Sequence, residues 1–274
     1  EMIKEALEVA GRSDVIIAAV GEPAQLSGEG ACRVDLTIPD AQKELLRALK
    51  STGKKIVLVV FSGRPLELSW EAENMDAILY AWHPGSEAGN ALSDLIYGNV
   101  NPSGHLTASF MRSSGQYPYY YNHTPSARQF NGKRAKFSSS YMDCDPTPLY
   151  PFGYGLSYTT FEFSEPKVKV LADAIEVKFD VKNTGSIGGK TVAQMYVRDL
   201  SALQARPVCE LKGFEKAYIE PGKKKTFTFS LTRDDLSFYN NNLDFIFEPG
   251  EFKIMCGPDC EHTKSVTVNF GEKQ

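Results

Sequence analysis

Hydrophobic positions in the first half of the chain follow a helical period and a strand period in turn. Ile3, Ala6, Leu7 and Ala10 recur at helical spacing, and "DVIIAAVG" follows as a short continuous apolar run. After a long polar loop, "IPDAQKELLRALKSTG" sets Leu45, Leu46 and Leu49 on one helical face and stops at Gly53. "KIVLVVF" and "DAILYAW" read as two more buried strands, and "SEAGNALSDLIYG" as another helix. Buried strands alternating with helices predict an α/β domain built on a parallel sheet.

From about Tyr154 the period becomes two, in "IEVKFDVKN", "TVAQMYVRD", "KTFTFSL", "EFKIMC" and "SVTVNF". Turn signals such as "NTGSIGG" and "EPGKK" separate these runs. About seven short strands over roughly 100 residues predict an all-β sandwich of the immunoglobulin or fibronectin III type. The expected domains are 1–156 (α/β, with a connector) and 157–274 (β-sandwich). The Tyr- and Ser-rich connector over 113–143 is too aromatic for disorder and is expected to pack.

Ligands of open parallel sheets bind beyond the carboxyl ends of the strands. The segments leaving those ends carry Glu29, Arg33, Asp35, Arg64, Trp82, His83 and Glu87, which should line one rim. The loop over 21–38 is unusually long and polar, a pattern more often functional than idle. It lacks G-x-G-x-x-G, the P-loop G-K-[ST] and the G-x-S-x-G elbow, so neither nucleotide binding nor a serine nucleophile is expected there. What it offers is Glu29 between Gly28 and Gly30. A carboxylic acid on a flexible arm can protonate a leaving oxygen, which is half of a glycosidase pair; a solvated loop glutamate is the plain alternative.

Composition adds mostly exclusions. A net charge of -4 and the lack of a basic stripe give no footprint for nucleic acid. No apolar run is long enough to span a bilayer, so no membrane partner is expected. The 4 histidines show no metal-ligand spacing, and no cofactor is expected. The Lys223–Lys225 run reads as a solvated turn. Of the 5 cysteines, Cys256 and Cys260 either close a hairpin disulfide or remain separate thiols. The N-terminal "EMIKEALEVAG" lacks signal-peptide architecture and reads as the interior of something longer.

Several blocks stand in a family's order and spacing: "AAVGEPAQLSGEGACRVDLTIPDAQKELLRAL", "VLVVFSGRPLEL", "AILYAWHPGSEAGNALSDLIYGNVNPSGHLTASF", "PLYPFGYGLSYTTF" and "ELKGFEKAYIEPG". Over almost its whole length the chain resembles the C-terminal half of glycoside hydrolase family 3 β-glucosidases. The resemblance implies an α/β sandwich domain that reaches a loop over the active site of an N-terminal (β/α)8 barrel, followed by a fibronectin-like domain. It implies that Glu29 matches the general acid/base. Arg33, Arg64, Trp82 and His83 are read as loop supports or substrate contacts, with a core aromatic as the alternative for Trp82 and a structural ion pair as the alternative for Arg64. The implied partners are an oligosaccharide or β-glucoside and the barrel of the same protein, in the periplasm or outside the cell. No segment resembles the family's nucleophile motif; "SDV" at Ser13 and "SDL" at Ser93 lack its context. The expectation is therefore a piece of a retaining β-glucosidase that is inactive alone. The alternatives are a β-xylosidase or α-arabinofuranosidase of the same architecture, or a non-catalytic carbohydrate-binding module.

Overall fold

The computed structural model describes residues 1–128, 130, 132–133 and 137–271. Positions 129, 131 and 134–136 of the predicted connector lie outside the described residues. The chain divides into two compact units. One comprises Glu1–Ala91, Phe110–Pro118 and Tyr141–Leu149, and the other Leu92–Ser109, Tyr119–Ser140 and Tyr150–Gln274.

The first elements are α1 (Met2–Gly11), β1 (Val15–Gly21), α2 (Asp40–Lys50), β2 (Lys55–Phe61), α3 (Ser69–Asn74), β3 (Ala77–Tyr80) and α4 (Ala88–Ile96). The strands form a parallel sheet in the order β1-β2-β3, in register from Val15↔Lys55 to Gly21↔Phe61 and from Val57↔Ala77 to Val60↔Tyr80. Central β2 buries Ile56, Leu58, Val59 and Val60, including consecutive residues that point to opposite faces, as expected of a doubly covered strand. Edge strand β1 buries Ala18 and Val20 but leaves Val15 51% and Ile17 49% exposed, so its second face is open. α2 buries Leu46 and Leu49 against this core, and its charges suit its dipole: Asp40 in the first turn, Arg47 and Lys50 in the last. Gly53, at φ 72°, follows as the predicted stop. The short polar helix α3 carries too little periodicity to be read from sequence.

The carboxyl end of β1 is fastened from two sides. The side-chain amide of Gln42 on α2 accepts from the Gly21 N–H (2.9 Å) and donates to the Gly21 carbonyl (3.0 Å). At Gly21, with φ 148°, a Cβ would stand 1.8 Å from the Phe61 carbonyl oxygen, so only glycine fits where the loop departs.

The second unit holds β4 (Phe161–Phe163), β5 (Lys167–Val170), β6 (Ala174–Asn183), β7 (Gly189–Asp199), β8 (Glu210–Ile219), β9 (Lys224–Thr232), α5 (Arg233–Leu236), β10 (Phe238–Tyr239), β11 (Phe245–Ile246), β12 (Gly250–Gly257) and β13 (Lys264–Phe270). All of its strand pairs are antiparallel. One sheet runs β13-β12-β7-β8; in the other, β6 pairs β9 along one edge and β4 and β5 along the opposite edge. Alternate residues of both sheets meet in a single core, among them Val177, Phe179, Met195, Phe227, Ile254 and Phe270. The architecture is thus a parallel-sheet α/β unit and an antiparallel sandwich. The period-two reading missed β8, whose alternation is broken by Gly213 and a register shift at Met195/Tyr196. It also missed the single turn of α5, capped by Thr232 and Asp235.

One local expectation is corrected, and one left open is decided. Lys224 and Lys225 begin β9 rather than lying in a turn, and they pair with Asp180 (2.6 Å) and Glu215 (2.6 Å). Cys256 and Cys260 are both free thiols. Cys256 packs in the sandwich core, whereas Cys260 joins a separate cluster with Tyr196 and Cys209. Burial pushes the Cys256 thiol up to about 12. No helix among the described residues is long and apolar enough to cross a membrane.

Candidate active-site rim

At the end of β1 stands Glu22, which the sequence reading did not single out. Its side chain is fully buried, and it is the hub of the rim. Arg33 Nη1 donates to its Oε1 at 2.6 Å, and Arg64 Nε donates to its Oε2 at 3.0 Å. The buried Ser62 hydroxyl donates to the same Oε2 at 3.1 Å. Burial opposes ionisation of Glu22, but the hydrogen bonds of Arg33 and Ser62 and the charge of both guanidiniums outweigh it. Its carboxyl is therefore held below the usual carboxylate range.

Both arginines also bond the backbone of the loop itself. Arg64 Nη2 bonds the carbonyls of Leu26 (2.8 Å) and Ala31 (2.9 Å), and Arg33 Nη2 bonds that of Thr37 (3.3 Å). The Tyr80 hydroxyl donates to the Arg64 carbonyl, which fixes that backbone from β3. Downstream, Asp35 caps its own turn through the Thr37 N–H (2.9 Å) and hydroxyl (2.7 Å), and those bonds depress its pKa. The loop then joins the segment after β2: Glu67 N–H donates to the Leu36 carbonyl, and Ser114 Oγ accepts from Leu36 N–H. Both roots of the loop are thus tied to rigid elements.

Between those roots, Glu29 is exposed. Gly28 (φ 114°) and Gly30 (φ 74°) occupy backbone that side chains rarely adopt, and the Ala31 N–H closes a turn on the Gly28 carbonyl (3.2 Å). This geometry turns the chain sharply about one carboxylate.

Trp82 and His83 leave β3 at the same end. Trp82 has φ 53°, a genuine outlier for a bulky residue and the kind of strain that clusters at functional sites. Its ring packs edge-on against Tyr80 (4.8 Å) and Phe110 (5.9 Å). His83 is exposed and lies against Gly63, where a Cβ would meet its Nε2 at 2.7 Å. Gly63→Ala should displace the ring at the end of its side chain and leave the backbone alone. Urea unfolding should shift by no more than about 0.5 kcal/mol, while the His83 ring resonances in NMR spectra move. Unmoved resonances would refute the packing. Glu87 lies further along, accepting from Asn90 Nδ2 (2.7 Å).

The structure therefore brings Arg33 and Arg64 together on Glu22, and sets His83 on Gly63. It gives both arginines supporting contacts within the loop. The sequence signal for Glu22 was available: a carboxylate directly after an apolar strand, with arginines in both following loops.

Comparisons with known proteins agree with this architecture. Residues 1–158 match the glycosyl hydrolase family 3 C-terminal domain, and residues 191–260 a fibronectin type III-like domain. A periplasmic β-glucosidase of Salmonella typhimurium is 44% identical over 96% of the chain, and a β-xylosidase of Formosa agariphila is 40% identical over 100%. The crystal structure of a β-glucosidase from Listeria innocua in complex with gluconolactone superposes on 98% of the chain with a TM-score of 0.94 at 38% identity. The chain spans 35%, 38% and 38% of the lengths of these three proteins, respectively. With its α/β unit and its sandwich both accounted for, the chain belongs to glycoside hydrolase family 3.

Proposed function

We propose that this chain is the part of a retaining β-glucosidase that supplies the general acid/base, and that Glu29 is that residue. The observation that carries the reading is the exposed carboxylate of Glu29, held between Gly28 and Gly30 on a loop rooted in the buried Glu22 network. Such an arm can present its carboxyl to a substrate bound on a neighbouring domain. Glu29 protonates the glycosidic oxygen of a terminal β-D-glucosyl residue, then deprotonates the water that attacks the glycosyl-enzyme. The nucleophile is an Asp on an N-terminal (β/α)8 barrel of the same polypeptide, beyond this chain. Arg33 and Arg64 hold the loop through Glu22, and Trp82 and His83 border the sugar. The family and the β-glucosidase names of its relatives support the reaction class. The Salmonella relative's name supports a periplasmic or secreted location.

The chain alone then carries one of the two required carboxylates. Purified by itself, it should turn over aryl β-glucosides far more slowly than the roughly 10 per second of an ordinary enzyme; an ordinary rate would overturn the assignment. A second reading, β-xylosidase, is favoured by the 40% identity to the Formosa enzyme. In the intact protein, kcat/KM for nitrophenyl β-glucoside against nitrophenyl β-xyloside decides between them, and glucoside preference is expected.

A further inference from the structure

The loop that carries Glu29 leaves β1 at Gly21 and re-enters the fold at Pro39, where α2 begins. Gln42 is the third residue of that helix. A glutamine in this position ordinarily reaches back to the N–H of the residue that precedes the helix. Here that residue is Pro39, which has no N–H to offer, and α2 has no side-chain cap hydrogen bond. The Gln42 amide turns instead to a residue 21 positions away: it accepts from the Gly21 N–H (2.9 Å) and donates to the Gly21 carbonyl (3.0 Å).

Those two bonds suit the end of an edge strand. Gly21 closes β1, and both of its backbone groups are met by Gln42 rather than by a further strand. A side-chain amide carries the same donor and acceptor as a peptide group, so glutamine can satisfy both at once. An ionised carboxylate only accepts, and an apolar side chain does neither.

From this clamp a continuous line of contacts runs to the residues flanking Glu29. Glu22 comes directly after Gly21; its N–H donates to the Phe61 carbonyl (2.9 Å) and its carboxylate holds Arg33 and Arg64. Arg64 in turn bonds the carbonyls of Leu26 and Ala31, on either side of Glu29. The same turn of α2 steadies the returning leg of the loop: Lys43 Nζ donates to Thr37 Oγ1 (3.0 Å), and that hydroxyl donates to Asp35 (2.7 Å).

We propose that Gln42 is a positioning residue for the acid/base. By clamping Gly21 it sets where the loop departs, and through Glu22 and Arg64 it sets where the Glu29 carboxyl stands against the glycosidic oxygen. The inference rests on the role assigned to Glu29 above. A reacting group misplaced by about 1 Å can cost about 10²-fold in rate.

The test is made in the intact enzyme with Gln42→Met, which keeps the length and helix propensity of the side chain but neither bond. Hydrolysis of cellobiose should slow roughly 10–100-fold, whereas the burst from dinitrophenyl β-glucoside, whose leaving group needs no proton, should keep its rate constant. The ratio of these two rate constants does not depend on the fraction of enzyme folded, so a loss of stability alone leaves it unchanged. Gln42→Glu, which can still accept from the Gly21 N–H but has lost the donor to the carbonyl, should move the ratio in the same direction. In this chain by itself, hydrogen exchange at the Gly21 amide should be faster in Gln42→Met than in the parent. An unchanged ratio in both variants, or unchanged exchange at Gly21, overturns the proposal. Glu29→Ala, measured alongside, separates the two roles. If it shows the leaving-group dependence and the Gln42 variants do not, only the role of Gln42 falls; if it shows none, the role of Glu29 falls and this one with it.

Discussion

In the intact enzyme, Glu29→Ala should slow hydrolysis in proportion to how much the leaving group needs a proton. General acid catalysis contributes about 10²–10⁴-fold, and a sugar leaving group draws on all of it, whereas dinitrophenolate departs without help. The variant should therefore form the glycosyl-enzyme from dinitrophenyl β-glucoside in a fast burst while losing nearly all activity on cellobiose. It should then stall, because the same carboxylate is needed to deprotonate water in the second step. Azide needs no such base, so it should restore turnover of the activated substrate and yield the β-glucosyl azide. Equal slowing of both substrates, with no azide effect, would remove Glu29 from the reaction. The exposed, glycine-flanked position argues that the substitution leaves the fold intact, so the kinetic readout is clean.

The second large effect is expected at Glu22, whose side chain is buried between Arg33 and Arg64 at the root of the loop. Glu22→Gln keeps the shape of the side chain but removes the charge that two guanidiniums share. Breaking a buried ion pair by removing one partner costs about 3–5 kcal/mol. Arg33 and Arg64 keep 15% and 24% side-chain exposure and can partly rehydrate, which argues for the lower end of that range. Urea unfolding near pH 7 should register the loss. The sign of the pH dependence follows from the depressed pKa of Glu22 in the fold. Its contribution is complete above the unfolded value of about 4.5 and disappears as pH falls through the lower folded value. Parent and variant should therefore converge in acid; a gap that widened below pH 4.5 would contradict the network. Because Arg64 also holds the carbonyls of Leu26 and Ala31, on either side of Glu29, the same substitution should lower kcat in the intact enzyme.

The sequence by itself carried the two periods, and with them the sheet types. An apolar run such as "KIVLVVF" has no polar face to show water, and alternation such as "IEVKFDVKN" has one, so burial of each follows from local composition. The glycines beside Glu29 likewise state a backbone requirement, positive φ at 28 and 30, that no neighbouring element is needed to explain, whereas the acid/base role proposed for Glu29 rests on the family resemblance. Only the tertiary structure decided what Arg33 and Arg64 do. The partner of each is Glu22, 11 and 42 residues away in sequence, and an arginine in a loop looks the same whether it awaits a sugar or an internal carboxylate. The separation of Cys256 from Cys260 likewise depends on which side of β12 each thiol meets. So does the pairing of Lys224 and Lys225 with carboxylates on other strands. Periodicity records which side of an element is buried; the identity of the partner across it is fixed by register and packing, which bring together residues that the chain keeps apart.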